Sequence, residues 1–169
     1  MSAHAATPFV YTIDANDFLT FVGPRWLAFA TENHAGHLTP ETVLGTSLWA
    51  HITEPTTRYL YRTLLQQVRA TDRSVLLPFR GDAPDLRRFM QLRLTHRGDG
   101  VVDLESTVET LEPRLAVSLM DPRLPRSAET VTVCSWCKKV ATPDWVEAEE
   151  AVGMLRLFEK PCPPQITHG

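Results

Sequence analysis

The sequence predicts an α+β fold, an antiparallel sheet with helices covering one face. Three observations between Thr53 and Leu111 carry that prediction. Tyr61, Leu64, Leu65 and Val68 recur at i, i+3, i+4 and i+7, one apolar stripe of a helix. Met90, Leu92 and Leu94 alternate with Gln91, Arg93 and Thr95, while Val102, Leu104 and Val108 alternate with Asp103, Glu105, Thr107 and Glu109, the period of half-buried strands. Gly98-Asp99-Gly100 joins the two runs and signals a hairpin.

The elements follow in order. Phe9–Ile13 and Phe18–Val22 are short β-rich runs around the turn residues Asp14-Ala15-Asn16-Asp17. Gly23-Pro24 opens a helix with proline at its first position, and Trp26 and Phe29 then point toward a core. Asn33–Thr39, with His34, Gly36 and His37, reads as an exposed loop. Pro40–Gly45 and Ser47–Ile52 read as one-turn helices. In the long helix Thr53 serves as N-cap, with Glu54 and Pro55 in the opening turn. Arg58, Arg62, Gln66 and Arg69 form a solvated basic face opposite the stripe. Ser74–Arg80 is a third strand, at an edge or a bulge because Pro78 removes one donor. For the last hairpin, a two-residue Asp-Gly turn sets Leu94 opposite Glu105 and mixes the faces. A three-residue loop with Gly100 left-handed sets Leu94 opposite Leu104 and Arg93 opposite Glu105, and is the register preferred.

Composition narrows the class. At 169 residues the chain can bury one good core and a small appendage. Apolar residues make up 43% and charged residues 22%, an ordinary globular balance. A net charge of −3 gives no nucleic-acid footprint, and no run of about eighteen apolar residues offers a membrane span. The N-terminal Met-Ser-Ala-His lacks the pattern of a signal peptide, so a cytoplasmic protein is expected, its three cysteines thiols or metal ligands. No Gly-x-Ser-x-Gly, His-Glu-x-x-His or Gly-x-Gly-x-x-Gly occurs, and Asp103, Glu105 and Glu109 face arginines in a salt-bridge ladder. Catalysis is not expected.

From Phe9 to Glu112 the element order resembles a PAS sensory domain. Tyr11-Thr-Ile-Asp14 precedes Phe18-Leu-Thr-Phe21, Trp26-Leu-Ala-Phe29 follows, and Val43-Leu-Gly45-Thr-Ser-Leu-Trp49 leads into the long helix. The resemblance implies a five-stranded antiparallel sheet, a sensing or association role, and a homodimer. It also implies a cavity between sheet and helices, lined by Trp26, Phe29, Trp49, Leu64, Met90, Leu92, Leu94 and Leu104; a plain filled core would use the same residues. The light-sensing subclass needs a cysteine inside the core, and here Cys134, Cys137 and Cys162 all lie beyond it. Haem-binding members use a histidine on the long helix, which has none; His51 and His96 match poorly. Non-covalent flavin needs only shape and a few polar groups and stays open. His34 and His37 make a weak metal pair.

The chain then divides into a tail of residues 1–8, the PAS-like part 9–112, a linker 113–129 and a cysteine-bearing extension 130–169. Pro113, Pro122 and Pro125 exclude a continuous output helix through the linker, whose one apolar run is Leu115–Met120. Thr130–Val133 is β-rich, and Asp144 caps a helix with Ala148, Ala151, Val152 and Leu155 on one stripe. Cys134 and Cys137, two residues apart on a tight turn beside Lys138 and Lys139, are placed for tetrahedral zinc, with His168 or Cys162 as third ligand. This tail resembles a small motif of bacterial signalling proteins, Cys-Ser-x-Cys-Lys … Trp … His-Gly, which implies a further Cys-x-x-Cys pair. The sequence stops at Gly169, so four ligands are incomplete within it, through shortening or through a metal shared by two chains. A zinc site, spare reduced thiols and a redox dithiol are the three readings. The whole is read as a sensory module that binds a small molecule or a signalling protein. The alternatives are a zinc-ribbon interaction protein that dimerises through the PAS-like half, and a thiol redox sensor.

Overall fold

A computed structural model describes residues 7–169. The chain divides into two compact units: residues up to Pro78 with Met90–Glu109, and Phe79–Phe89 with Thr110–Gly169.

The first unit begins with β1 (Phe9–Ile13) and β2 (Leu19–Val22), an antiparallel pair. Helices α1 (Pro24–Glu32), α2 (Pro40–Val43), α3 (Leu48–His51) and α4 (Pro55–Thr71) follow. Then come β3 (Val75–Arg80), β4 (Leu86–Gly98) and β5 (Val101–Pro113), whose far ends belong to the second unit. The five strands form one antiparallel sheet in the order β2-β1-β5-β4-β3, so the α+β class is as expected. Strand β1 pairs with β5, Tyr11 opposite Leu104 and Ile13 opposite Val102. Period-two alternation puts Phe9, Ile13, Leu92, Leu94, Val102 and Leu104 in the core, and the α4 stripe adds Leu64, Leu65 and Val68. At the β2 edge, Gly45 N–H donates to Leu19 O at 2.8 Å and Leu19 N–H to Thr46 O at 2.9 Å. That loop occupies backbone groups an edge strand would otherwise leave open.

Three local expectations are corrected. The cap of α4 is Glu54, not Thr53: its carboxylate accepts from Thr56 N–H at 2.8 Å and Thr57 N–H at 2.6 Å. The basic face of α4 is not simply solvated. Arg69 donates to Gly100 O at 2.8 Å, Asp14 O at 2.9 Å and Asp17 Oδ1 at 2.8 Å, and Arg58 donates to Ile52 O and Trp49 O. The β4–β5 loop is the two-residue Asp99-Gly100, both left-handed at φ 50° and 78°. Even so Leu92 and Leu94 stay buried with Val102 and Leu104. Gly98, the last residue of β4, is also at positive φ, 97°, and Gly100 is left-handed as expected. Gly100 is required twice over: its φ is left-handed, and a Cβ there would meet Ala15 Cβ at 2.6 Å.

The second unit carries β6 (Thr130–Val133), β7 (Val140–Ala141), β8 (Trp145–Val146), α5 (Ala148–Met154) and β9 (Gln165–His168). They make a four-stranded sheet in the order β8-β7-β6-β9, with β9 parallel to β6. Its core joins Val117, Leu119, Val131, Val133, Val140, Ala148, Ala151 and Leu157. Leu119 is brought in by a single 3-10 turn at Ser118–Met120, inside the stretch read from sequence as a linker. The cap residue of α5 is Glu147 rather than Asp144.

Among the described residues, no helix is long and apolar enough to cross a membrane.

Candidate functional site

The interior of the first unit is built by strand alternation against helix periodicity. Leu64, Met90, Leu92, Leu94 and Leu104 are all buried in it. Trp26 and Phe29 stand on α1 toward β1, the Phe29 ring 4.5 Å from that of Phe9 and the Trp26 ring 6.5 Å from that of Tyr11. Trp49 sits in a different setting. Its indole N–H donates to Asp17 Oδ2 at 2.9 Å, and the Arg62 guanidinium lies over its ring at 5.0 Å. Asp17 thus takes the indole on one oxygen and Arg69 on the other.

Two phenols give this interior its polar feature. Tyr11 on β1 and Tyr61 on α4 share a hydrogen bond. Burial raises the Tyr11 pKa well above 10, and the neighbouring Tyr61 raises it further. Burial also raises Tyr61, partly offset by its bond to Tyr11. Both side chains are half-buried, and each hydroxyl can donate and accept a hydrogen bond. The signal was in the sequence: Tyr11 shares the parity of Phe9 and Ile13, and Tyr61 opens the α4 stripe.

The histidines weighed for haem are engaged elsewhere. His51 is exposed, with Nε2 2.7 Å from Thr46 Oγ1. His96 accepts Gly100 N–H on Nε2 at 3.2 Å and faces Asp72 with Nδ1 at 3.0 Å.

In the second unit, Cys134 and Cys137 lie on one knuckle between β6 and β7. Cys134 N–H donates to Lys139 O at 2.8 Å and Lys138 N–H to Cys134 O at 3.0 Å, closing the turn, with Lys138 left-handed at φ 60°. Cys137 N–H points at Cys134 Sγ, 3.5 Å away. Burial pushes the Cys134 thiol up, but the Cys137 and Trp136 amides, the Cys137 thiol and the Lys138 ammonium together outweigh it and hold it below the ordinary range. Burial lowers Lys138; Asp82, Cys134 and Cys137 work to raise it and Arg80 to lower it. The knuckle rests on Phe79-Arg80: Arg80 N–H donates to Trp136 O at 2.9 Å, and the Phe79 and Trp136 rings are 5.7 Å apart.

Beneath it lies a buried charge network, absent from the sequence reading. Arg80, 7% exposed, reaches both Glu147 oxygens at 2.9 and 2.8 Å and forks onto Asp82, whose side chain is 1% exposed. Arg114 lies 3.4 Å from Asp82 and 3.3 Å from Glu149, and Arg87 is 3.1 Å from Glu149. The acids hold Arg80 charged despite its burial.

The expected zinc ligands are only partly gathered. Strand β9 sets His168 opposite Val133, and Ser135 N–H donates to Gly169 O at 3.3 Å, yet the His168 side chain is exposed. Among the described residues, no three His, Cys, Asp or Glu stand together to hold a metal. Two paired thiols fall short of the four-donor set of a structural zinc.

No family model matches the sequence, and no curated protein does. Among solved structures, the chain is similar to the PAS domain of the Cronobacter turicensis RpfR quorum-sensing receptor, in complexes with C12:0 and with BDSF. Each has 11% identity and a TM-score of 0.47, covering 64% of this chain and 100% of the other. It is also similar to a domain of an HTR-like protein from Haloarcula marismortui, at 16% identity and a TM-score of 0.42, covering 61% of this chain and 98% of the other.

Proposed function

We propose that the first unit is a PAS-like sensory module that binds a small apolar molecule with one polar end between its sheet and its helices. The Tyr11–Tyr61 pair carries this reading: two hydrogen-bonded, half-buried hydroxyls beside the apolar core are the kind of orienting group such a site uses. The apolar side chains of Leu92, Leu94 and Leu104 supply the complementary surface. Output passes through a protein partner, a second copy of the chain included, and the module is not an enzyme.

Protein purified gently from cells should release a small molecule on solvent extraction, seen by mass spectrometry, with a visible spectrum first separating chromophores from colourless ligands. Apolar carboxylic acids added to the stripped protein should raise its melting temperature. Tyr61→Phe removes one hydroxyl without changing the ring and should weaken that binding about tenfold, the equivalent of one hydrogen bond. Empty extracts together with no thermal shift from any acid would defeat the reading.

A further inference from the structure

We propose that the free edge of β9 docks a second copy of this chain through the same edge, antiparallel about Thr167. Strand β9 lies at the end of the second unit's sheet and pairs with β6 alone. The bonds of that parallel pairing show which way each backbone points. Gln165 N–H donates to Glu129 O at 2.8 Å and Gly169 N–H to Val133 O at 3.3 Å, while Gly169 O accepts from Ser135 N–H at 3.3 Å. Residues 165, 167 and 169 therefore turn their backbone groups to β6. Ile166 and His168, at the alternate positions, turn theirs outward, and among the described residues no backbone group meets them. Gln165, Thr167 and His168 are exposed.

The other sheet edges are blunted. The Gly45–Thr46 loop covers β2, Pro78 in β3 has no N–H to offer, and β8 is only two residues long. Strand β9 has none of these devices: Gln165-Ile166-Thr167-His168 carries no proline and no fixed charge. An edge that pairs with its own copy must be self-complementary under a two-fold axis, and this one is. Pairing about Thr167 sets Ile166 opposite the partner's His168 and His168 opposite the partner's Ile166. Each pair exchanges both backbone hydrogen bonds, so every outward N–H and C=O of the two residues is satisfied at once. No like charges face each other. Ile166, packed on the core of the second unit, becomes the diagonal neighbour of the partner's Ile166 on the same face, and the apolar layer continues across the axis.

The test is sedimentation equilibrium of the full chain over a concentration series reaching millimolar, because so short an interface lies at the weak end of the range. The average mass should climb toward twice that of one chain. His168→Pro removes an outward N–H and leaves every bond to β6 in place, and should weaken association at least ~10-fold. His168→Ala keeps the N–H and should associate like the parent, which separates backbone pairing from any use of the imidazole. Thr167→Cys should form a disulfide-linked dimer in air, since residues facing across the axis have Cα atoms about 4.5 Å apart. Gln165→Cys, set away from the axis, should not, nor should the parent with its own free cysteines. A chain monomeric throughout, or undiminished association of His168→Pro, would overturn the proposal. So would Thr167→Cys crosslinking no faster than Gln165→Cys, a comparison that decides the matter even if the proline variant does not fold.

Discussion

At the start of α4 a carboxylate takes the place a hydroxyl would ordinarily fill. Pro55 occupies the first helical position, so the residue before it must be the cap, and that residue is Glu54. Glutamate is not a favoured cap type, which is why Thr53 looked better from residue preference alone. Burial works against the Glu54 charge but is outweighed by hydrogen bonds from the Thr57 hydroxyl, the Thr56 and Thr57 amides and the Thr56 hydroxyl. The result is a pKa of about 2, against an ordinary 4.5. Because the folded value is the lower one, folding favours the ionised form. The contribution is complete above pH 4.5 and fades as the pH falls toward 2. Glu54→Ala should cost about 1 kcal/mol at neutral pH, by urea denaturation. The gap between variant and parent should close as the pH approaches 2; a gap that stayed constant would mean the cap acts without its charge.

Among the elements, α4 shows how much a pattern can and cannot say. Its apolar stripe was legible because Leu64, Leu65 and Val68 repeat at the helical period and are all buried. The alternating strands were legible for the same reason, and with them the inward residues Met90, Leu92, Leu94 and Leu104. The use of Arg69 was not, because two of its three acceptors are backbone carbonyls, of Asp14 and Gly100, which no side-chain pattern displays. That one guanidinium ties α4 to the β1–β2 and β4–β5 turns. Arg69→Ala should destabilise the protein by roughly 2–3 kcal/mol. Hydrogen exchange should rise in both turns together, and Arg69→Lys should recover little, since an ammonium cannot reproduce the planar fork. Trp49 was expected among the lining residues, but its polar anchor was not legible for a related reason: Asp17, which accepts its indole proton, is distant in sequence. Likewise β9, whose Gln165 pairs in parallel with Thr130, gave no local sign of being a strand.

On the scale of the whole molecule, the second unit is discontinuous, taking Phe79–Phe89 from the middle of the chain and the rest from Thr110 onward. Its charges are divided the same way, Arg80 and Asp82 in the early segment, Arg114, Glu147 and Glu149 in the late one. Removing one partner from a buried ion pair costs roughly 3–5 kcal/mol. A chain cut after Glu109 should therefore express poorly or show a broadened thermal transition by circular dichroism, and one with full-length stability would show the network to be dispensable. The separation also has a consequence for synthesis. Glu147 leaves the ribosome 67 residues after Arg80, a delay of roughly 3 to 13 seconds at ordinary elongation rates. By Glu109 the first unit has its complete sequence, while Arg80 and Asp82 have each other but still lack Glu147 and Arg114. A translational pause in that window would hold a nascent chain with one finished unit and one charged, half-partnered segment, a species open to chaperones and proteases.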